Sequence, residues 1–286
     1  MTAIESIEIV TGEGRFSLDA AGSVDAPPVL LLHGFPQSRH TWRLFLPALA
    51  DSGYHALAPD QRGYSPGVRP HSIQSYRTER LVADVLDLLD ALGAERAHLV
   101  GHDWGGQVAW MTAAQHPDRV ASLCVLSRPH PAAFARAFEV DPEQPGRSGH
   151  HTSFQAPEMT ERLWKDDCAA LRAALSQQGV PRTDIDAYLL VLSDRAALDA
   201  ALNWYRAASY SGLRAMDCPA VSAATLYLWG DRDSSVGRTA AELTGAHVDG
   251  PYRFVEVAGS GHFLTDDGGG PTVLRELLSH LSRASA

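Results

Sequence analysis

The sequence predicts an α/β fold, with a mostly parallel central sheet flanked by helices and a helical segment inserted between two strands. Six short apolar runs lack the polar alternation of one-sided strands, which is typical of strands buried on both faces. Amphipathic helical patterns separate several of these runs. Residues 129–218 interrupt this rhythm, because they contain helical patterns but no convincing buried strand. With 286 residues and 45% hydrophobic side chains, the chain can bury a large core.

The predicted strands and helices of the sheet region follow one another along the chain. In the first predicted helix, apolar side chains such as Leu81, Val85 and Leu88 recur at three- and four-residue intervals. Strands are predicted at residues 28–32, 54–58, 97–100, 120–126, 226–229 and 254–257, and helices at 79–92, 105–115 and 271–281.

The inserted segment divides the chain into a first core part (1–128), a helical lid (129–218) and a second core part (219–286). Ligands of open α/β sheets bind beyond the carboxyl ends of the strands, and an insertion that follows a strand lies over this place. We therefore expect the segment to cover a binding site. Its helices are predicted at residues 157–164, 166–178, 184–192 and 195–209.

The composition excludes several classes of function. With 24 basic and 34 acidic residues the net charge is −10, so we expect neither a nucleic-acid nor a membrane partner. Lys165 is the single lysine, which leaves no lysine-containing phosphate loop. Three widely spaced cysteines predict reduced thiols in a cytoplasmic protein, and their spacing matches no metal site. The acidic N-terminus does not resemble a secretory leader, and no apolar run is long enough for a membrane span, so we expect neither feature. An arginine- and alanine-rich composition suggests a bacterial source.

A glycine-flanked aspartate, Asp103, is the main candidate for a nucleophile. It stands between Gly101 and Gly105, where a predicted strand turns into a predicted helix. The two glycines permit a tight turn that presents the middle residue beyond the sheet. A carboxylate in this place suits displacement at a saturated carbon, which forms an ester that water then cleaves. The alternative is that Asp103 only caps the helix.

His262 is the candidate general base, because it lies in a glycine-rich loop after the last predicted strand. Asp231 and Asp233 both follow the preceding strand and could orient its ring. We favour Asp233, which lies further out on the loop, and expect Asp231 to form the turn.

Hydrolysis of an ester also needs an oxyanion hole, a pair of N–H groups that binds the charged tetrahedral oxygen. One candidate is the backbone N–H of Trp104, the residue after the nucleophile. The other is the N–H of Phe35, in the loop after the first predicted strand. Pro36 fixes that turn, and we expect a cis bond before it.

Five motifs carry a resemblance to a known family: HGFPQ (33–37), DQRGYS (60–65), GHDWGG (101–106), LNWYR (202–206) and GHF (261–263). Over residues 25–285 they resemble the epoxide hydrolases of the α/β-hydrolase superfamily. The resemblance implies opening of an epoxide to a vicinal diol without metal or cofactor. It also implies that Tyr205 protonates the epoxide oxygen; the alternative is that Tyr205 only packs in the core. A dimer is common among relatives, and a monomer or a homodimer is expected.

The second proton donor departs from the family pattern. Epoxide hydrolases place another tyrosine five residues before a glutamine, whereas counting back from Gln155 gives His150, followed by His151. The resemblance therefore implies His150 as donor and His151 as its substitute; the alternative is a surface histidine pair. The side chains expected to contact a medium-sized apolar epoxide are Trp104, His151, Phe154, Trp204 and Phe263.

Two other functions fit the same motifs. A haloalkane or haloacid dehalogenase would share Asp103, Asp233 and His262. It would need two side-chain N–H donors for the halide: Trp104 resembles one, but Phe35 stands where the other is often found, so that Trp164 or Trp204 would have to replace it. A non-catalytic or biosynthetic ligand-binding protein is the further alternative.

Overall fold

The computed structural model describes residues 2–208 and 218–284, and contains an eight-stranded sheet. The strands lie in the order β1-β2-β4-β3-β5-β6-β7-β8. All neighbours from β4 to β8 in this order are parallel, and β2 is antiparallel to both β1 and β4. The strands are β1 (Glu5–Thr11), β2 (Gly14–Ala21), β3 (Pro28–Leu32), β4 (His55–Pro59), β5 (Ala97–His102), β6 (Val120–Leu126), β7 (Thr225–Gly230) and β8 (Tyr252–Val257).

The six predicted strands are confirmed as β3 to β8, but the hairpin of β1 and β2 was not predicted. This hairpin has a one-sided pattern, in which Ile7 pairs with Leu18 and Ile9 with Phe16 across the two strands. Such alternation is typical of an antiparallel pair at a sheet edge, with one face exposed. It differs from the continuous apolar runs that reveal the central strands.

Helices cover both faces of the sheet. Leu30 and Leu99 pack in one core with α2 and α3, whereas Leu31 and Val100 point the opposite way, into a second core with α1 and α11. This alternation follows from the two-residue period of a strand. The helices are α1 (Phe45–Asp51), α2 (Thr78–Ala91), α3 (Trp104–Gln115), α4 (Pro131–Val140), α5 (Gln144–Arg147), α6 (His150–Ser153), α7 (Met159–Gln177), α8 (Arg182–Val191), α9 (Arg195–Ala207), α10 (Arg238–Leu243) and α11 (Gly270–Ala284).

Helices α4 to α9 form the insertion between β6 and β7. The predicted break after residue 164 is observed inside α7, where residues 165–168 have non-helical backbone angles. The sequence did not predict α4, α5 or α6. The predicted end of the last insertion helix, Ser209, lies outside the described residues, as do residues 210–217.

The three cysteines, Cys124, Cys168 and Cys218, are buried and form no disulfide. In the described part of the chain, every helix is too short or too polar to cross a membrane. The parallel strands β5, β7 and β8 end at the same edge of the sheet, so the loops that follow them lie close together.

Candidate active site

Asp103 occupies a sharp turn between β5 and α3. Its backbone has φ 50° and ψ −117°, a conformation that non-glycine residues rarely adopt. The neighbouring chain approaches so closely that a Cβ at Gly34 would lie 2.5 Å from the Cβ of Asp103. A Cβ at Gly105 would likewise collide with the backbone of Leu32, and one at Gly101 with that of Gly105. Only glycine fits these positions, so the local backbone is built around a strained, presented carboxylate.

One oxygen of this carboxylate is bound by the loop after β3. The N–H of Phe35 donates a hydrogen bond to Oδ1 of Asp103, with an N···O distance of 3.0 Å. The Phe35–Pro36 bond is cis, as expected from the sequence. Trp104 is the first residue of α3, and its N–H therefore has no acceptor within the helix. The contact from Phe35 is thus observed, and the Trp104 N–H lies at the start of the helix that follows Asp103.

His262 lies between two carboxylates. Its Nδ1 is 3.1 Å from both oxygens of Asp233, and its Nε2 is 3.7 Å from Oδ2 of Asp103. Asp233 is itself held in place, since its Oδ1 accepts the N–H groups of Ser235 and Val236 at 2.7 and 3.0 Å. Asp231 instead accepts the N–H of Gly259 and is exposed. The structure therefore places Asp233, and not Asp231, against the histidine.

Burial and charge set the protonation states of these groups. Burial alone would raise the pKa of Asp103, but the contacts with His262, His102 and the Phe35 N–H outweigh it and hold this pKa well below its usual value. Burial would lower the pKa of His262, but the charges of Asp233 and Asp103 raise it to about 10. The site therefore holds the ionised carboxylate of Asp103 beside a His262 imidazolium.

Tyr205, on α9, faces Asp103 across a cavity of about 250 Å3. Burial raises the pKa of its phenol well above the usual value, and the charge of Asp103 adds to this effect. Tyr205 is therefore a neutral hydrogen donor. The remaining wall is mostly apolar, and its lining side chains include Phe35, Phe154, Leu171, Leu175 and Phe263.

The two adjacent histidines on α6 have different places. His150 lines the cavity together with Tyr205, and their ring centroids are 6.3 Å apart. His151 is more deeply buried, lies 5.9 Å from the Trp104 ring and does not line the cavity. Burial lowers the pKa of both side chains, and most strongly that of His151. Both are thus neutral, and of the two His150 is the one within reach of a ligand.

Three side chains expected to contact the substrate lie behind the cavity wall instead: Trp104, His151 and Trp204. The indole of Trp104 packs edge-on against Tyr205 at 5.1 Å. The indole N–H of Trp204 donates to the backbone oxygen of Arg62 at 2.8 Å, and this turns the ring toward the core. Of the predicted contact residues, Phe154 and Phe263 do line the cavity.

Several polar residues around the site were not predicted. His102 and Gln37 lie behind His262, hydrogen-bonded to each other, and Gln37 also contacts Asp266. Arg147 lines the cavity, and its Nη1 donates to the backbone oxygen of Asp233 at 3.1 Å. Sequence spacing gives no signal for such long-range contacts. Within residues 2–208 and 218–284, no group of three or more histidine, cysteine or acidic side chains is arranged to hold a metal ion.

Comparison with known proteins places this geometry in a family. A family model described as alpha/beta hydrolase fold matches residues 27–269. Epoxide hydrolase A of Mycobacterium tuberculosis is 35% identical, over 88% of this chain and 90% of the relative. The chain belongs to the epoxide hydrolases of the α/β-hydrolase superfamily.

Other epoxide hydrolases agree in sequence and in structure. Epoxide hydrolase 4 of the mouse is 34% identical over 88% of this chain and 72% of that protein. The crystal structure of epoxide hydrolase A from Mycobacterium thermoresistibile superimposes with a TM-score of 0.79 and 31% identity, covering 99% of this chain and 98% of the other. The resemblance in the sequence motifs is thus confirmed over almost the whole chain.

Proposed function

We propose that the protein hydrolyses an epoxide to a vicinal diol through a covalent ester on Asp103. The observation that carries this proposal is the arrangement of Asp103 itself. One of its oxygens is bound by the Phe35 N–H, His262 stands behind the other, and Tyr205 lines the same cavity. A nucleophile, a base and a proton donor therefore meet around one space in which an epoxide ring fits.

In the first step, Oδ2 of Asp103 attacks an epoxide carbon and the ring C–O bond breaks. The oxygen released from the ring takes the proton of the Tyr205 hydroxyl, since the phenol is neutral and faces the cavity. Ester formation removes the negative charge of Asp103, so the pKa of His262 falls and its imidazolium gives up a proton. The proton that His262 releases replaces the one that Tyr205 gave to the new hydroxyl group, so the phenol is restored and the step is balanced.

In the second step, neutral His262 takes a proton from water, and the water oxygen attacks Cγ of Asp103. The N–H groups of Phe35 and Trp104 bind the resulting oxyanion. Collapse breaks the bond between Cγ and Oδ2, so that Oδ2 leaves as a diol oxygen and takes the proton of the hydroxyl group that came from water. This restores the carboxylate beside the imidazolium. Asp233 holds the ring throughout, through the contacts of both its oxygens with Nδ1.

His150 is the proposed second donor to the epoxide oxygen, because it lines the cavity and its ring centroid lies 6.3 Å from that of Tyr205. Its burial keeps it neutral, so that it donates one N–H without adding charge.

We further propose that residues 129–218 act as a lid, since they supply Tyr205, His150 and Phe154 to the cavity wall. The apolar wall suits a medium-sized apolar epoxide.

Dehalogenation is less well supported by the same site. A halide would need two side-chain N–H donors, and the indole N–H of Trp204 is already bonded to Arg62. Trp104 does not line the cavity, and Phe35 has no side-chain donor. The buried cysteines, which form no disulfide, agree with a reducing compartment, and we propose the bacterial cytoplasm as the location. We propose a monomer or a homodimer as the assembly.

A single-turnover reaction in water labelled with 18O tests the proposal, with enzyme in excess over styrene oxide. Through the ester route, the added diol oxygen comes from Asp103, so the diol stays unlabelled and the peptide containing Asp103 gains one 18O atom. Direct attack of water on the epoxide would label the diol and leave the protein unlabelled. That result, or the absence of diol with every apolar epoxide offered, would overturn the proposal.

A further inference from the structure

Three buried side chains behind the His262 loop are not used in the mechanism above: His102, Gln37 and Asp266. Nε2 of His102 lies 2.8 Å from the backbone oxygen of His262, and Nδ1 lies 2.7 Å from Oε1 of Gln37. Nε2 of Gln37 lies 2.7 Å from Oδ2 of Asp266. We call this chain of three side chains the amide relay. It connects a buried carboxyl group to the main chain of His262.

The hydrogen atoms available in this arrangement do not match its contacts. Both ring nitrogens of His102 face oxygen atoms that accept hydrogen bonds, so both contacts are satisfied only if His102 is an imidazolium. Burial lowers the pKa of His102 to about 4, however, and the nearby His262 adds to this effect. A neutral imidazole has a single N–H group, and one of the two contacts then lacks a hydrogen.

Turning the Gln37 amide by 180° removes this conflict at His102. The amide fills the same space in both orientations. Its NH2 group then donates to Nδ1 of His102, and the ring hydrogen on Nε2 donates to the His262 oxygen. Oε1 of Gln37 now faces Oδ2 of Asp266 at hydrogen-bond distance. Two oxygen atoms lie this close only when one of them carries a hydrogen and donates it to the other. The turned arrangement therefore requires a protonated Asp266.

Resting on the function proposed above, we propose that Asp266 is a positioning residue whose proton decides whether His102 holds the main chain of His262. When Asp266 is protonated, Gln37 accepts its hydrogen and His102 donates from Nε2 to the His262 oxygen. When Asp266 is ionised, Gln37 turns its NH2 group to the carboxylate. His102 then carries its hydrogen on Nδ1, and the bond to His262 is lost.

The charged and titratable groups around the relay agree with this arrangement. Burial raises the pKa of Asp266 to about 6, and the charge of Asp184 adds to it. The hydroxyl of Tyr188, on α8, opposes this rise by donating to both oxygens of Asp266 at 2.8 Å. Arg43 also opposes it, but from 3.6 Å and while bonded to Asp184.

The groups that face His102 are His262, Asp103 and Asp233. Burial, aided by His262, keeps the pKa of His102 low although Asp103 and Asp233 oppose this effect, so the proton shared along the relay resides on Asp266 and not on His102. Because Tyr188 belongs to the insertion, the relay also connects the insertion to the His262 loop.

The variant Asp266→Asn tests the proposal, because an asparagine has the shape and the hydrogen-bonding groups of the protonated acid and cannot ionise. In the wild type we expect kcat to decline with rising pH as Asp266 ionises. Asp266→Asn should lack this decline and stay within about threefold of the wild-type maximum, a change of less than 1 kcal/mol in the barrier. In the matched variant Tyr188→Phe the pKa of Asp266 should rise, so the decline should move to higher pH.

The nitrogen-15 NMR signals of the His102 ring give a readout that needs no turnover. We expect the hydrogen on Nε2 at low pH, a transfer to Nδ1 at higher pH in the wild type, and no transfer in Asp266→Asn. An imidazolium at His102, or the same ring form at all pH values in the wild type, would overturn the proposal. Persistence of the pH decline in Asp266→Asn would do the same. A protein without epoxide activity would still show the ring forms, so the two proposals fail separately.

Discussion

Nε2 of His262 lies 3.7 Å from Oδ2 of Asp103, which is beyond the range of a direct hydrogen bond. The other carboxylate oxygen, Oδ1, is fixed by the N–H of Phe35. The two oxygens therefore have different surroundings: one is held by the main chain, and the other faces the histidine. In the proposed mechanism, Oδ2 therefore forms the bond with the substrate and Oδ1 becomes the oxyanion.

Tyr205→Phe tests the proton donor while keeping the ring that packs against Phe35, Trp104 and Phe154. Loss of a positioned acid lowers a rate by about 10²-fold or more, so we expect kcat/KM for styrene oxide to fall by about 10²-fold. Stopped-flow measurement of the tryptophan fluorescence of the protein would follow ester formation. A variant with unchanged ester formation would show that Tyr205 only packs.

The neighbours His150 and His151 form a natural pair for comparison. His150→Gln removes a group on the cavity wall, and we expect about a tenfold loss of kcat/KM, which is less than the roughly 10²-fold loss for a single acid because Tyr205 shares the task. His151→Gln alters a side chain behind the wall, and it should affect the free energy of unfolding more than the rate. Equal losses of rate in the two variants would contradict the assignment of His150.

Asp233→Asn and Asp231→Asn make the same change at two acids of one loop. In the first, His262 loses the charge that raises its pKa and the partner of its Nδ1. Hydrolysis of the Asp103 ester should therefore be slower in Asp233→Asn by about 10²-fold or more. Asp231 is exposed, and its variant should keep kcat within about twofold of the wild-type value. Single-turnover kinetics of both variants measure the step. The reverse order of effects would identify Asp231 as the orienting acid.

The raised pKa of His262 also predicts how stability depends on pH. The folded protein binds this proton up to a pKa of about 10, and an unfolded histidine releases it near 6.5. The contribution of this bound proton to the free energy of unfolding is complete below about pH 6.5 and is lost as pH rises toward 10. Between pH 7 and 8.5, the free energy of unfolding should fall by about 2 kcal/mol more in the wild type than in His262→Gln. Urea denaturation at the two pH values measures this, and parallel changes in the two proteins would contradict it.

The sequence was sufficient for the central strands and for the residues that follow them. Continuous apolar runs revealed β3 to β8, and the glycines around Asp103 revealed the turn, because both are local features with a direct physical cause. The hairpin of β1 and β2 was missed because a half-exposed edge strand has a weaker pattern. The choice of Asp233 over Asp231 followed from its position along the loop, which decides which side chain reaches the histidine.

Side-chain direction was the part that the sequence could not determine. Trp204 and Tyr205 are adjacent on α9, yet one turns to the backbone of Arg62 and the other to the cavity. A difference of about 100° around a helix decides this, and it depends on how the insertion packs on the core. The amide relay joins positions 37, 102 and 266, and no spacing in the sequence indicates such a contact.

Intact-protein mass spectrometry of His262→Gln tests the central claim most directly. Without the base, the ester should form on exposure to styrene oxide and persist, so the mass should increase by one whole epoxide, located on Asp103 by peptide mapping. Exposure to 1-bromohexane provides the comparison, because a gain of the alkyl group without the halogen would indicate a dehalogenase. If the wild type turns over styrene oxide and the folded variant gains no mass, the covalent mechanism is wrong.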